Sequence, residues 1–123
     1  MSMDVVQQWH EAVNAADVDR VRRLVADQVV VNGPRGSGAI SRDAFADWVI
    51  RSGIHLRPVE WRPVSSGVIV VGQQATWPAA PESASVATMF RVTGDHISAA
   101  LRFPDLEQAL EFAHLSVALA ETA

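Results

Sequence analysis

The chain has 123 residues, 49% of them hydrophobic, and a formal net charge of −4 from fourteen acids against ten bases. That length builds one domain, residues 1–123, whose core needs neither metal nor disulfide. With no cysteine and no lysine, disulfides, thiolate catalysis, cysteine metal sites and Schiff-base chemistry are excluded. The longest apolar runs are far short of a membrane span, so no membrane is expected as a partner. MSMDVVQQWHE carries neither a basic n-region nor an apolar h-region, which places the chain in the cytoplasm by expectation.

Taken in order, the elements begin with a helix whose apolar side chains Val6, Trp9 and Val13 fall on one face. Asn14-Ala-Ala-Asp17 ends it and starts the next, because the short Asp side chain accepts hydrogen bonds from free amides of the following turn. Val18, Val21, Leu24 and Val25 make the second buried face. Arg20, Arg22 and Arg23 lie largely opposite, a solvated face rather than a nucleic-acid footprint on an acidic chain. Val29-Val30-Val31 is a β-branched run suited to a strand. Asn32 to Gly38, with three glycines and a proline, reads as a loop, and it lacks the GK[ST] ending of a phosphate-binding loop.

Ser41 caps a third predicted helix, Arg42 to Ser52, with Phe45, Trp48 and Val49 inward, an Asp47–Arg51 surface pair and Gly53 as its stop. Four strands follow, 54–65, 67–77, 84–93 and 96–103, separated by turn signals at Ser66-Gly67, 78–81 and Gly94-Asp95. Connections this short make an antiparallel meander. Pro58 and Pro63 cannot donate ladder hydrogen bonds, so their strand is expected at an edge or with a bulge. Asp105-Leu-Glu-Gln108 is a capping arrangement opening a last helix to about Ala120. The expected class is α+β, with helices segregated to one face of a curved sheet.

The run from Trp9 to Pro34, with NAADVD between the helices and LVADQVVVNGP after them, resembles the opening of the nuclear transport factor 2-like superfamily. Ketosteroid isomerases, scytalone dehydratases and SnoaL-type polyketide cyclases belong to it. The resemblance implies a cone-shaped antiparallel sheet wrapped around the N-terminal helices, with an apolar pocket and a homodimer formed through the outer sheet face. The last helix departs from members that finish on their final strand; it has two expected places, over one end of the sheet or on a partner subunit. Overlaying the ketosteroid isomerase motif puts its Tyr on Trp9, its Asp base on Gly33 and its second Asp near Thr88. An indole has no useful proton to exchange and glycine has no base, so that mechanism is not expected here.

The same overlay and the strand alternation converge Trp9, Gly33, Arg35, Trp48, Thr88 and Phe90 on one pocket. Trp9 is either a core residue or a platform whose N–H points at the ligand. Arg35 is either a solvated loop residue or a clamp for a carboxylate. His10, His55, His96 and His114 are the groups poised near neutral pH, and none has the spacing of a metal site, so neither metal nor cofactor is expected. His55 is the candidate general base, against an ordinary strand histidine. Trp61 and Trp77 read as core or interface aromatics, and Glu60 alternates to the face opposite Trp61.

These residues describe a domain that binds a small apolar or carboxylate-bearing molecule and has no assignable reaction. The alternatives are a SnoaL-like isomerase, cyclase or hydrolase with a non-standard base, and a dimeric interaction module. A closed pocket with a titratable group at its base favours the enzyme; an exposed apolar patch on the terminal helix favours the module.

Overall fold

The computed structural model describes residues 2–33 and 36–122. Its first helix, α1 (Ser2–Asn14), buries Val6, Trp9, Ala12 and Val13 on the stripe expected from their spacing. The corner after it is tight. Ala16 takes a positive φ of 54° there, and Asp17 caps α2 (Val18–Leu24) by accepting the Arg20 amide at 3.1 Å. Asn14 adds a tie that spacing does not reveal. Its side chain accepts from the Leu56 amide and donates to the Leu56 carbonyl, both at 2.8 Å, fastening the end of α1 to a distant strand.

β1 (Val25–Gly33) leaves α2 directly, and β2 (Gly36–Ser41) pairs back on it antiparallel, with Gly33 opposite Gly36. The glycine-rich stretch expected as a loop is therefore largely an edge strand. Its pairing comes from the backbone, which glycine and serine supply as well as any residue. Ser41 caps α3 (Arg42–Arg51) through the Ala44 amide. Then come β3 (His55–Ser65), β4 (Val68–Trp77), β5 (Ala80–Thr93) and β6 (His96–Phe103). β5 begins earlier than its turn residues suggest, because Trp77 and Ala80 already face each other across a two-residue connection.

The strands form one curved, unclosed sheet in the order β2-β1-β6-β5-β4-β3. The meander is antiparallel as expected, yet β1 joins β6 in parallel, so the sheet is mixed rather than purely antiparallel. β1 starts after two helices rather than a hairpin, and the crossover to the meander sets its direction. β3 is an edge strand and its register also slips beside both prolines, between Pro58 and Glu60 and between Pro63 and Ser65.

Two apolar clusters lie on the two faces. On the inner face Val6, Trp9, Val13, Phe45, Leu56, Ile69 and Phe90 pack around the first three helices. On the outer face Val68, Val70, Ala87, Met89 and Leu101 are covered by α4 (Leu106–Thr122), whose Ala109 and Ala113 are fully buried. The helices are thus not confined to one face. The alternation of apolar residues on both sides of β4 and β5 leaves an outer surface that needs a cover, and this chain supplies its own.

Candidate functional site

A cavity of about 420 Å³ lies between α1, α3 and the inner face of the sheet. Its wall is mostly apolar, with Trp9, Phe45, Val49, Leu56, Trp77 and Ala100 contributing from five elements. Trp9 is 3% exposed and rests edge-on against Phe90, with ring centroids 5.1 Å apart. Its Nε1–H is buried with no hydrogen-bond partner among the described residues. A buried donor without an acceptor is costly, and that cost falls inside the packed wall.

Behind the wall runs a buried polar chain. His10 Nδ1 lies 2.8 Å from the Val6 carbonyl oxygen, His10 Nε2 lies 2.7 Å from Gln73 Nε2, and Thr88 Oγ1 lies 2.7 Å from Gln73 Oε1. A carbonyl only accepts, so Nδ1 carries the proton and the neutral ring accepts from the Gln73 amide through Nε2. Gln73 then turns its carbonyl oxygen to Thr88, whose hydroxyl must donate to it. Burial holds His10 neutral, lowering its pKa from 6.5 to about 4 against the smaller opposing effect of the Val6 hydrogen bond. Thr88 is the one member of the chain that lines the cavity.

Opposite Thr88 in the β5–β6 ladder stands Arg102, which also lines the cavity. Asn32 at the end of β1 fixes its backbone, accepting from the Arg102 amide at 2.8 Å and donating to its carbonyl at 2.9 Å. Desolvation by burial pushes the guanidinium below its ordinary pKa. Among the described residues Arg102 has no carboxylate partner and its Nε has no hydrogen bond.

Residues 6–100, most of the chain, match the family of SnoaL-like domains. This chain belongs to the SnoaL-like domain family. Arg102 and α4 lie just beyond the matched span. Among solved structures, a nuclear transport factor 2-like protein of unknown function from Cytophaga hutchinsonii superposes with a TM-score of 0.76 at 9% identity, covering 89% of this chain and 95% of that one. A computationally designed 17-OHP binder gives 0.73 at 16% identity, over 86% and 92% of the two chains. The epoxide hydrolase/cyclase-like enzyme SalBIII, of pyran ring formation in salinomycin, gives 0.69 at 14% identity, over 83% and 88%. Identities this low establish the shared fold and nothing finer. No curated protein sequence matches significantly.

Within this SnoaL-like domain the expected site residues divide. Trp9, Trp48 and Thr88 line the cavity together. Phe90 does not line it, being fully buried against Trp9 and His10. Trp48 does not lie on the inner face of α3 as its spacing suggests; it is 48% exposed, and Phe45, Ala46 and Val49 fill that face instead. One residue before Val49, it stands about 100° round the helix from it, so its bulk swings to the flank of the helix and onto the cavity rim. Gly33 closes β1 opposite Gly36, and Arg35 lies outside the described residues. His55 is exposed and does not line the cavity, because Ile54 and Leu56 on either side take the inner face.

The remaining expectations fall as follows. Trp61 packs on the inner cluster beside His10, while Glu60 lies on the opposite face, its Cβ near Gly72 and paired to Arg62. Arg20 and Arg22 pair with Glu11 and Asp19, as a solvated face should. Arg102, Asn32 and Gln73 are not among the residues expected at the site. Alternation from Ala100 along β6 puts Arg102 on the inner face, and that was the available signal.

Proposed function

We propose that this SnoaL-like domain binds a small, largely apolar molecule in the cavity between α1, α3 and the sheet. The observation that carries the reading is the cavity itself, about 420 Å³ with aromatic walls and a few polar atoms at one side. The lining includes no histidine or carboxylate among the described residues, which favours binding over acid–base chemistry. A designed protein of the same fold is a 17-OHP binder, in keeping with an apolar occupant. The finer SnoaL-like activities, isomerase, cyclase or hydrolase, are the alternative, with His10 behind the wall as the one titratable group in the buried class among the described residues.

The test is titration of tryptophan fluorescence with a panel of neutral apolar alcohols and naphthalenes. Binding should saturate, and Ala100→Phe, which fills the cavity, should abolish it while the far-ultraviolet circular dichroism is kept. No saturable binding by any member would overturn the reading.

A second reading has its own observation. On α4, Phe112, Leu115 and Leu119 are 40%, 56% and 61% exposed and recur at i, i+3 and i+7. We infer that this stripe is the contact of a homodimer, in place of the bare sheet face, which α4 already covers.

A further inference from the structure

We propose that the occupant of the cavity is an apolar hydroxy acid, its carboxylate held by the Arg102 guanidinium and its hydroxyl donated to Thr88 Oγ1. This rests on the apolar-pocket reading above and names the head group that goes with it.

Three observations converge. First, Trp9 stands on the cavity wall at 97% burial and offers the apolar tail an aromatic surface. Second, Arg102 is a lone cation on that wall. Arg20, Arg22, Arg42, Arg51 and Arg62 face carboxylates and Arg23, Arg57, Arg91 and Arg102 do not, and of these four, among the described residues, Arg102 is the one that lines the cavity. A half-buried guanidinium without a counter-charge costs stability, and its planar fork is suited to two oxygens of one carboxylate. Asn32 clamps the Arg102 backbone from both sides, so the fork's base is rigid.

The third observation sets the rest of the head group. Thr88 stands directly across the ladder from Arg102, a separation of about 5 Å between side-chain roots. Its hydroxyl proton is committed to Gln73, and the order of donors is imposed from the far end by the Val6 carbonyl through His10. Thr88 therefore offers the cavity lone pairs and no proton. A bare carboxylate would bring two more acceptors to that oxygen, whereas an adjacent hydroxyl brings the missing donor. One wall with a cation beside a fixed acceptor matches an anionic group next to an O–H.

The experiment is isothermal titration of the intact chain with four matched probes: 2-hydroxyoctanoate, octanoate, methyl 2-hydroxyoctanoate and 1-octanol. The hydroxy acid should bind about tenfold tighter than octanoate and about a hundredfold tighter than octanol, one to two hydrogen-bonded contacts apart. Arg102→Met should bring both acids to the level of octanol and leave octanol unchanged, and its melting temperature should not fall, since an unpaired cation is removed. Thr88→Val should erase the preference for the hydroxyl, and Thr88→Ser should restore it. Equal binding of all four probes, or an acid preference that survives Arg102→Met, overturns the head-group assignment while leaving the apolar pocket in place. Failure of all four to bind overturns both.

Discussion

His10 shows how one buried side chain ties stability to pH. Its folded pKa, about 4, lies below its ordinary 6.5, so between those values the unfolded chain holds a proton that the folded chain does not. Stability is therefore complete above about pH 6.5 and is lost as pH falls through the window toward 4. At about 1.4 kcal/mol per pH unit the loss between pH 7.5 and 4.5 is on the order of 2–3 kcal/mol. Urea unfolding at the two pH values should show that slope in the parent and a shallower one in His10→Gln; equal slopes would remove His10 as the cause. In the sequence the residue was legible as one of four histidines poised near neutral pH, next to Trp9 on the first helix. Its partners Val6, Gln73 and Thr88 lie at separations of 4, 63 and, through Gln73, 15 residues, and the last two are not readable from any local pattern.

At the scale of elements, the corner between α3 and β3 is set by Gly53. It has a φ of +67°, and a Cβ built on it would stand 2.7 Å from Pro78 Cγ in the β4–β5 turn. Gly53→Ala meets both a left-handed backbone and a ring with little freedom to retreat. It should cost roughly 1–3 kcal/mol, seen as a lowered midpoint in thermal unfolding. Because Ser52 and Ile54 line the cavity on either side, ligand affinity should fall as well. Gly53 as a helix stop was legible in the sequence; the approach of Pro78 was not, since it belongs to another turn. The caps at Asp17, Ser41 and Asp105 were legible for the opposite reason, as each acts within three residues of itself. At Asp105 the Gln108 side chain returns to the carboxylate rather than to the backbone amide.

For the molecule as a whole, the arrangement is three layers: helices inside the curve, the sheet, and α4 across its back. The two faces separate the two proposed roles, cavity on one side and apolar stripe on the other. Sedimentation at micromolar concentration should give twice the chain mass, and Leu115→Glu with Leu119→Glu should give a monomer that still binds the apolar panel. A parent that sediments as a monomer would remove the dimer, and a double variant that remains dimeric would move the interface elsewhere. No helix among the described residues is long and apolar enough to cross a membrane, so the stripe is not read as a span.

The sequence by itself determined the order and kind of nearly every element, an edge or a bulge for the strand bearing Pro58 and Pro63, and the family opening from Trp9 to Pro34. These follow from periodicity, caps and turn residues, which act over a few positions of chain. Only the tertiary structure decided that β2 forms from glycine-rich backbone, that β1 joins β6 in parallel, that α4 covers the outer face, and that Thr88 and Arg102 share one wall with Trp9. The last three are pairings between residues far apart in the chain, while β2 pairs locally through backbone that leaves no side-chain pattern. Such pairings are chosen by sheet curvature and burial on two faces at once, and no local spacing records them.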